Sequence, residues 1–365
     1  MEQQWANRAA SAEAAITARH FAPLWYLPAT QLAVCGWPST RNERMFGSWN
    51  YWWQAHLLDC LVDAQVRDPR PDRRRRIKHH LHGHHLRNTG RWINDYYDDM
   101  AWLSLAIERS GRLAGVGRTG ALRKLTKQFT SAWMPEHGGG IPWRKQDRFF
   151  NAPANGPAGI FLARNAELRQ AQLMADWIDQ TLIDPQTHLV FDGIKDGSMV
   201  RAQYTYCQGV VLGLETELAA RTHDERHAPR VHRLVAAVRD HMAPGGVLKG
   251  TGGGDGGLFG GITARYLALV VTTLPGDTPD DKTARQTARE LVLTSAQSAW
   301  DLRQTVDGLP LFGPDWAKAA QVPTAGGAVG QFVAGAVSGS AVPERDLSVQ
   351  LSGWMLMEAA HVLTA

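Results

Sequence analysis

Helical periodicity recurs from one end of this chain to the other, and it is the feature that most restricts the possible folds. In about a dozen segments, apolar residues return at spacings of three and four, as in Leu57, Leu58, Leu61 and Val62, which is the pattern of a helix with a buried face. Glycine and proline gather between these segments, as expected of connectors. The predicted helices cover residues 2–21, 49–66, 72–87, 97–110, 117–133, 155–182 (two helices with a bend), 203–221, 227–242, 257–273, 281–299, 326–337 and 346–363.

The arrangement of these helices predicts the fold class. Strand signals are short and lie in two candidate hairpins, at residues 140–143 and 188–191, and no linker or charged tail divides the 365 residues. We therefore predict a single domain over residues 1–365. A dozen helices joined singly by loops favour an all-α fold, the (α/α)6 barrel, in which six outer helices surround six inner ones and the loops preceding the inner helices line a funnel. Two separate helical bundles are the alternative.

Composition excludes several classes of protein. Hydrophobic residues make up 44% of the chain and charged residues 20%, which is typical of a globular protein. No run of eighteen apolar residues occurs, so we predict no membrane insertion. Three scattered cysteines without a CxxC spacing exclude a disulfide framework and a zinc ribbon. The first residues lack the apolar core of a secretory signal, so we expect a cytoplasmic protein, or a secreted one if a leader was removed.

The positive charge of the chain is local. Residues 67–91 contain nine Arg or Lys against two Asp, whereas the whole chain has a net charge of only +4. Within this segment, residues 73–85 (RRRRIKHHLHGHH) carry five histidines that could bind a metal and arginines that could hold nucleic acid. Nucleic-acid binding requires a broad basic face, and the rest of the chain is net negative. We interpret the segment as a solvated outer helix and predict no nucleic-acid partner.

The strongest candidate for chemistry is a pair of adjacent aspartates, Asp98 and Asp99, at the start of a predicted helix. One Asp at this position is commonly a helix cap. A cap needs a single exposed carboxylate, however, and this pair is surrounded by the aromatic residues Tyr96, Tyr97 and Trp102. The surroundings favour a catalytic role.

Two close carboxyl groups are what glycosidic bond hydrolysis requires, one to protonate the leaving oxygen and one to attack or stabilise the sugar. Adjacent Cα atoms lie about 3.8 Å apart, which suits the roughly 5–5.5 Å carboxyl separation of a retaining pair better than the wider spacing of an inverting one. Mutual repulsion also raises one pKa and supplies the protonated acid. An Asp pair can bind a divalent metal as well, but no further ligands with metal spacing lie nearby in the sequence, so we predict no metal site.

Aromatic and amide side chains elsewhere predict a sugar-binding groove. Residues 49–56 (WNYWWQAH) combine flat rings with amide groups, and residues 138–143 (GGGIPW) present a Trp on a flexible turn. Rings pack on the C–H faces of sugars, and amides bind their hydroxyl groups. The glycine-rich residues 253–257 lack the GK[ST] ending of a phosphate-binding loop, so a nucleotide site is excluded there.

These blocks, taken in order, resemble glycoside hydrolase family 76, the endo-α-1,6-mannanases. The paired-aspartate motif is NDYYDDMAW at 94–102, and the other blocks are YWWQAH at 51–56, HGGGIPW at 137–143, NAPANG at 151–156, YTYCQG at 204–209 and GDGGLF at 254–259. The resemblance implies an (α/α)6 barrel, retention of anomeric configuration, and no metal or other cofactor. It also implies that Asp98 is the nucleophile and Asp99 the acid/base. The predicted substrate-binding residues are Asn50, Trp53, Gln54, Tyr97, Trp143, Asn151, Asn155, Tyr206, Gln208 and Asp255.

Three positions depart from the family pattern. Phe150 stands where a lysine is expected, Cys207 replaces an asparagine, and Gly260 replaces a lysine. They leave the aspartate pair intact but leave open which polymer is cleaved, fungal mannan or, given the Arg- and Ala-rich composition, a lipomannan-type backbone. The leading hypothesis is therefore a retaining endo-hydrolase of α-1,6-linked mannose chains that forms a covalent mannosyl-enzyme intermediate. A carbohydrate-binding toroid without turnover is the alternative, and a nucleic-acid-associated helical protein is a third.

Overall fold

The computed structural model describes residues 2–365, and thirteen α-helices occupy most of them. The long predicted helices are found within a few residues of their expected bounds, with one exception described below, and the segment 155–182 divides into two helices as predicted. The helices are α1 (Glu2–Arg19), α2 (Arg41–Arg44), α3 (Tyr51–Arg67), α4 (Pro71–Arg87), α5 (Tyr97–Ala114), α6 (Thr119–Ser131), α7 (Ala152–Arg164), α8 (Leu168–Thr181), α9 (Thr205–Arg221), α10 (His227–Met242), α11 (Phe259–Thr273), α12 (Pro279–Asp301) and α13 (Leu347–Val362).

Twelve of these helices form two concentric rings. Helices α3, α5, α7, α9, α11 and α13 pack side by side in that order, and α13 returns to α3 to close the inner ring. The outer helices α4, α6, α8, α10, α12 and α1 each pack on one of the inner helices. The chain alternates between the rings, so every inner helix runs in the same direction. The predicted (α/α)6 barrel is confirmed.

The inner helices are buried on nearly every side, and small residues allow their backbones to approach closely. In α13, fourteen of the sixteen residues are buried, which is typical of a helix with no solvent-facing stripe. A Cβ atom at Gly209 of α9 would lie 2.9 Å from the Thr263 Cα atom of α11, and one at Gly261 would lie 2.7 Å from the Ser352 Cα atom of α13. Glycine is therefore required where these helices cross.

Strands are confined to the connectors. The short antiparallel pairs are β1 with β2, β6 with β7, and β8 with β9, while β3, β4 and β5 form a three-stranded antiparallel sheet. The predicted hairpin segments at 140–143 and 188–191 contribute only single bridges, Pro142 to Phe150 and Val190 to Ile183. The strands are β1 (Phe21–Ala22), β2 (Leu32–Ala33), β3 (Phe149–Asn151), β4 (Gly193–Lys195), β5 (Ser198–Val200), β6 (Gln304–Val306), β7 (Leu309–Leu311), β8 (Phe332–Val333) and β9 (Ala336–Val337).

The helix predicted over residues 326–337 is wrong. This segment is a loop that ends in the β8–β9 hairpin. Its apolar residues have helix-like spacing, but it contains four glycines, and each costs about 1 kcal/mol in a helix relative to alanine. Gly326 and Gly335 adopt φ values of +91° and +95°, which no helix accommodates.

No helix within residues 2–365 is both long enough and apolar enough to cross a membrane.

Candidate active site

A cavity of about 1120 Å³ opens at the end of the barrel where the inner helices begin. Because the inner helices are parallel, the six connectors that precede them meet at this end, and each contributes to the wall. The lining includes Trp49–Trp53 before and within α3, Asn94–Asp99 at α5, Trp143–Asn151 before α7, Asp192–Tyr206 at α9, Thr251–Phe259 at α11 and Val329–Asp346 before α13, with some residues in every range but the first set back from the wall.

Asp98 and Asp99 lie in the first turn of α5 on the floor of this cavity. The Asp98 carboxylate accepts hydrogen bonds from the Trp143 indole N–H (Oδ2, 2.8 Å) and from the Asp99 backbone N–H (Oδ1, 2.8 Å). The Asp99 carboxyl accepts one from the Asn94 side-chain amide at 2.6 Å. The connector that carries Trp143 is bonded to α5, since the Tyr97 backbone N–H donates to the Trp143 carbonyl oxygen at 2.8 Å. The first turn of α5 and the Trp143 loop therefore hold the pair in place together.

The surroundings separate the proton affinities of the two carboxyl groups. Burial raises the pKa of Asp98 to about 7, although the Trp143 hydrogen bond acts in the opposite direction. Burial, followed by the neighbouring charge of Asp98, raises the pKa of Asp99 well above its usual value. Two close carboxyl groups cannot both ionise readily at neutral pH, and their titration belongs to the pair. The donors on Asp98 favour its carboxylate form, and Asp99 then holds the proton.

A third carboxyl group, Asp255, faces the cavity from the connector before α11. It accepts hydrogen bonds from the indole N–H groups of Trp52 and Trp53, at 3.0 and 2.8 Å, and from the Val337 backbone N–H at 2.6 Å. Burial raises its pKa to about 6 despite these donors. Asp255 therefore organises three segments of the cavity wall.

Asp192 also lines the cavity, and sequence reasoning missed it. Burial raises its pKa to about 7. It follows the buried residues Val190 and Phe191 directly, and an acidic residue at the end of such an apolar run is the signal that could have identified it.

Six of the ten predicted substrate-binding residues line the cavity. Some of them present aromatic rings to the cavity, and others stabilise the backbone that forms its wall. The Tyr206 ring stacks on Phe259 with centroids 3.9 Å apart and planes at 20°, whereas Asn151 is buried and caps α7 by accepting a hydrogen bond from the Ala154 backbone N–H at 3.1 Å. The six are Asn50, Trp53, Trp143, Asn151, Tyr206 and Asp255.

Three predicted amides, Gln54, Asn155 and Gln208, do not reach the cavity. Each is fully buried and binds both backbone groups of one residue in a connector. Those residues are Ala33, Ile141 and Val190, respectively, at distances of 2.7–3.0 Å.

The positions of these amides in their helices explain why they do not reach the cavity. Each amide is the fourth residue of an inner helix, and Gln350 of α13 repeats the arrangement by binding both backbone groups of Phe312. The amides hold extended connector segments against the barrel rather than presenting polar groups to a sugar.

Tyr97 also lies away from the cavity. Its ring packs, partly buried, against the hydrophobic core, and it is not among the residues of the cavity wall. The ring next to the aspartates that does reach the wall is Tyr96.

The Arg- and His-rich segment forms the outer helix α4, as predicted, but it is solvated on one face only. Arg73, His80 and His84 are buried, and burial lowers the pKa of His80 to about 4 and that of His84 to about 3. Within the described part of the chain, no three His, Cys, Asp or Glu side chains are grouped so that they could hold a metal ion.

A family model describes most of this chain. Residues 10–350 match the model of glycosyl hydrolase family 76. The chain belongs to this family. No curated protein matches the chain. Membership makes it a glycoside hydrolase, and it agrees with the resemblance drawn from the sequence blocks.

Solved structures of similar proteins superimpose on the whole barrel. The GH76A α-1,6-mannanase from Salegentibacter sp. HEL1_6 is 29% identical, with a TM-score of 0.81 over 98% of this chain and 99% of the other. An inactive variant of that enzyme, in which two consecutive aspartates are asparagines, was solved with α-1,6-mannotriose, again at 29% identity, with a TM-score of 0.82 and the same coverage. The Lin0763 protein from Listeria innocua is 25% identical, with a TM-score of 0.80 over 98% of this chain and 96% of the other.

Proposed function

We propose that this family 76 hydrolase cleaves α-1,6-linked mannose chains at internal bonds, with retention of configuration, through a covalent intermediate on Asp98. The observation that carries the proposal is the pair of adjacent carboxyl groups on the cavity floor, of which one is favoured as the carboxylate and the other holds a proton. The likeness to an α-1,6-mannanase, and to its complex with α-1,6-mannotriose, supports the choice of linkage and sugar.

The reaction follows from the roles of the two groups. The Asp98 carboxylate attacks the anomeric carbon while Asp99 donates its proton to the departing glycosidic oxygen, so the bond breaks without releasing a free alkoxide. Asp99, now a carboxylate, then takes a proton from water, and that water attacks the anomeric carbon and releases Asp98. Two inversions give net retention.

The size of the cavity supports cleavage within a chain. A volume of about 1120 Å³ exceeds the roughly 300–1,000 Å³ of pockets that enclose one small molecule. Aromatic residues line it on several sides, among them Trp52, Trp143 and Tyr206. Such a cavity accommodates several consecutive sugar units.

Incubation with α-1,6-mannan, and separately with α-1,2- and α-1,4-linked polymers, tests the linkage. We expect early release of oligosaccharides of mixed length from the α-1,6-linked polymer alone. Proton NMR of the first product should show the α-anomer before mutarotation. Binding of α-1,6-mannotetraose without any turnover would instead indicate a carbohydrate-binding toroid, and an initial β-anomer would contradict the retaining mechanism.

Replacing Asp99 with alanine tests the assignment of the acid. We expect the Asp99→Ala enzyme to lose activity most severely on natural linkages. It should be partly spared on an activated aryl mannoside, whose leaving group needs no proton. Added azide should then yield an α-mannosyl azide, because azide can replace water on the covalent intermediate. A β-mannosyl azide would exclude Asp98 as the nucleophile.

A further inference from the structure

The hairpin of β8 and β9 lies over the active-site cavity. We use the name strap for residues 329–338, in the connector before α13. Phe332 pairs with Val337 and Val333 with Ala336, and the two turn residues Ala334 and Gly335 both have positive φ, 53° and 95°. Positive φ at both central positions is typical of the tight two-residue turn that matches the twist of paired strands. The strap is therefore a defined hairpin and not a loose loop.

The base of the strap is bonded to the connector before α11. The Val337 backbone N–H donates to Asp255 Oδ2 at 2.6 Å. A Cβ atom at Gly254 would lie 2.2 Å from the Val337 carbonyl oxygen, so the two backbones are in direct contact. Asp255 in turn holds Trp52 and Trp53, which ties the strap to the cavity wall.

The tip of the strap reaches the far side of the funnel. A Cβ atom at Gly335 would lie 2.3 Å from the outer edge of the Trp143 indole ring. Trp143 belongs to the connector before α7, which stands opposite α13 in the inner ring. The same indole donates its N–H to Asp98. The strap thus crosses the mouth of the funnel and rests on the side chain that orients the predicted nucleophile.

The two apolar residues of β8 are strongly exposed but differ in position. Phe332 is 64% exposed and Val333 63% exposed, and only Phe332 lines the cavity. A large aromatic ring left open to solvent at the edge of a binding cavity is a surface on which the C–H face of a sugar can pack. Val333 is equally exposed but does not line the cavity.

We propose that the strap is the specificity determinant of this hydrolase: it bridges the funnel, provides Phe332 as a contact for a sugar unit distant from the cleaved bond, and favours oligosaccharides or chain ends over long internal stretches of polymer. A chain end threads beneath the bridge, whereas an internal stretch enters only when the strap lifts. The proposal rests on the proposed cleavage of α-1,6-linked mannose at internal bonds and leaves the cleaved linkage unchanged. It adds that short chains and segments near a chain end reach the aspartates more readily than long internal stretches do.

Comparison of Phe332→Ala with Val333→Ala tests the sugar contact. Both substitutions remove an exposed apolar side chain from the same strand. With α-1,6-mannooligosaccharides of three to six units, we expect Phe332→Ala to raise KM increasingly with length, about 10-fold for the hexasaccharide, with kcat unchanged. Val333→Ala should stay within twofold of the wild type at every length. Equal behaviour of the two variants would overturn the role of Phe332.

Shortening the strap tests the bridge. Replacement of residues 332–337 by two glycines should raise the ratio of kcat/KM on mannan to kcat/KM on mannotetraose at least fivefold, because the funnel is then open. An unchanged ratio in a folded variant would overturn the proposal.

Gly335→Ala, with Gly308→Ala as the matched control, tests the contact between the strap and Trp143, on which the bridge depends, even if the shortened chain fails to fold. Both glycines have positive φ in hairpin turns, but Gly308 has open space around it. Only Gly335→Ala should push the Trp143 ring or lift the strap, lowering kcat/KM on mannotetraose about 10-fold. Equal loss in both variants would overturn the contact.

The wild-type enzyme decides between the two proposals. If it neither cleaves nor binds α-1,6-linked mannose, the proposed function fails and the strap proposal fails with it. If it cleaves these chains but all strap variants keep the wild-type preference for chain length, only the strap proposal fails.

Discussion

Both ends of the barrel contain buried or partly buried acidic side chains, but the groups that surround these side chains differ between the two ends. At the funnel end, Asp98, Asp99 and Asp255 form no ion pair with any Lys, Arg or His in the described chain. At the other end, Asp59 and Asp63 of α3 lie between two arginines, Arg109 of α5 and Arg265 of α11. Arg109 binds Asp63 Oδ1 at 2.6 Å and also contacts Asp59, while Arg265 binds Asp63 Oδ2 at 2.6 Å and Asp59 Oδ2 at 3.3 Å.

The comparison shows how the neighbours of a carboxyl group set its pKa. Burial raises the pKa at both ends, but the charges of Arg109 and Arg265 reverse the effect at Asp59 and lower its pKa to about 2. Asp98 has neutral donors instead of a cation, and its pKa rises to about 7. The arginine-paired end therefore contributes to stability, whereas the funnel end keeps groups that can gain and lose a proton near neutral pH.

The largest effect should come from removing the predicted nucleophile. We expect Asp98→Asn to lower kcat by on the order of 10⁴-fold, because asparagine cannot attack the anomeric carbon. The protein should stay folded, since the amide still accepts a hydrogen bond from Trp143. Rates on α-1,6-mannotetraose and a thermal melt check both expectations. Ordinary turnover by this variant would remove Asp98 from the mechanism.

At the opposite end, the equivalent change should damage the fold. Asp59→Asn leaves Arg109 and Arg265 with half of their negative partners, and breaking a buried pair in this way costs about 3–5 kcal/mol. Urea unfolding monitored by tryptophan fluorescence measures the loss. Asp240→Asn is the matched control, because Asp240 pairs with Arg239 on the surface, and such pairs contribute about 0–1 kcal/mol. A similar small loss in both variants would contradict the contrast between the two ends.

A smaller effect should follow from removing one donor from Asp98. Trp143→Phe keeps an aromatic ring but deletes the indole N–H that binds Oδ2. That hydrogen bond lowers the pKa of Asp98, so its loss raises the pKa, and the acidic limb of the activity profile should move to higher pH. Hydrogen bonds to charged groups contribute about 1.5–3 kcal/mol, which predicts a loss of about 30-fold in kcat/KM at pH 5. A uniform loss at all pH values would indicate a packing role only.

The same contrast explains which parts of the molecule were predictable from sequence. Helices with a buried face are recognisable from the spacing of their apolar residues, and the aspartate pair is a local motif. The barrel and the first turn of α5 could therefore both be predicted from the sequence. The arginine-paired end was not, because Asp59, Asp63, Arg109 and Arg265 are far apart in sequence and only the ring of inner helices brings them together. Local spacing contains no signal for such a cluster.

Amides near a site present a different difficulty. Gln54, Asn155 and Gln208 were predicted to bind sugar because they stand in blocks that surround the cavity. The residue type is equally suited to binding a peptide N–H and C=O, which is what the structure shows. Their shared place, the fourth residue of an inner helix, becomes visible only when the helix starts are known. The strap was also missed, because the apolar residues of this segment have helix-like spacing and only its glycines argue against a helix.

The smallest predicted effect is on how stability depends on pH, and here the two ends should act in separate windows with opposite sign. Asp59 has a pKa of about 2 when folded, below its ordinary value of 3.8, so it contributes stability above pH 4 and loses it as the pH falls toward 2. Asp98 has a folded pKa of about 7, so the folded protein holds more protons than the unfolded chain between about pH 4 and 7. Stability therefore falls as the pH rises through that range.

Substitution of Asp98 should flatten the upper window and leave the lower one unchanged. In Asp98→Asn the decline between pH 4 and 8 should shrink by about 1 kcal/mol, well below the roughly 4 kcal/mol that a rise in pKa from 3.8 to about 7 represents for an isolated group. The reduction is partial because Asp99 still titrates, and without its charged neighbour its pKa moves down toward the same range. Urea unfolding of both proteins at five pH values from 3 to 8 measures the difference. An identical decline in the two proteins would mean that the funnel carboxyl groups do not limit stability at neutral pH, and the contrast with the arginine-paired end would then be one of chemistry alone.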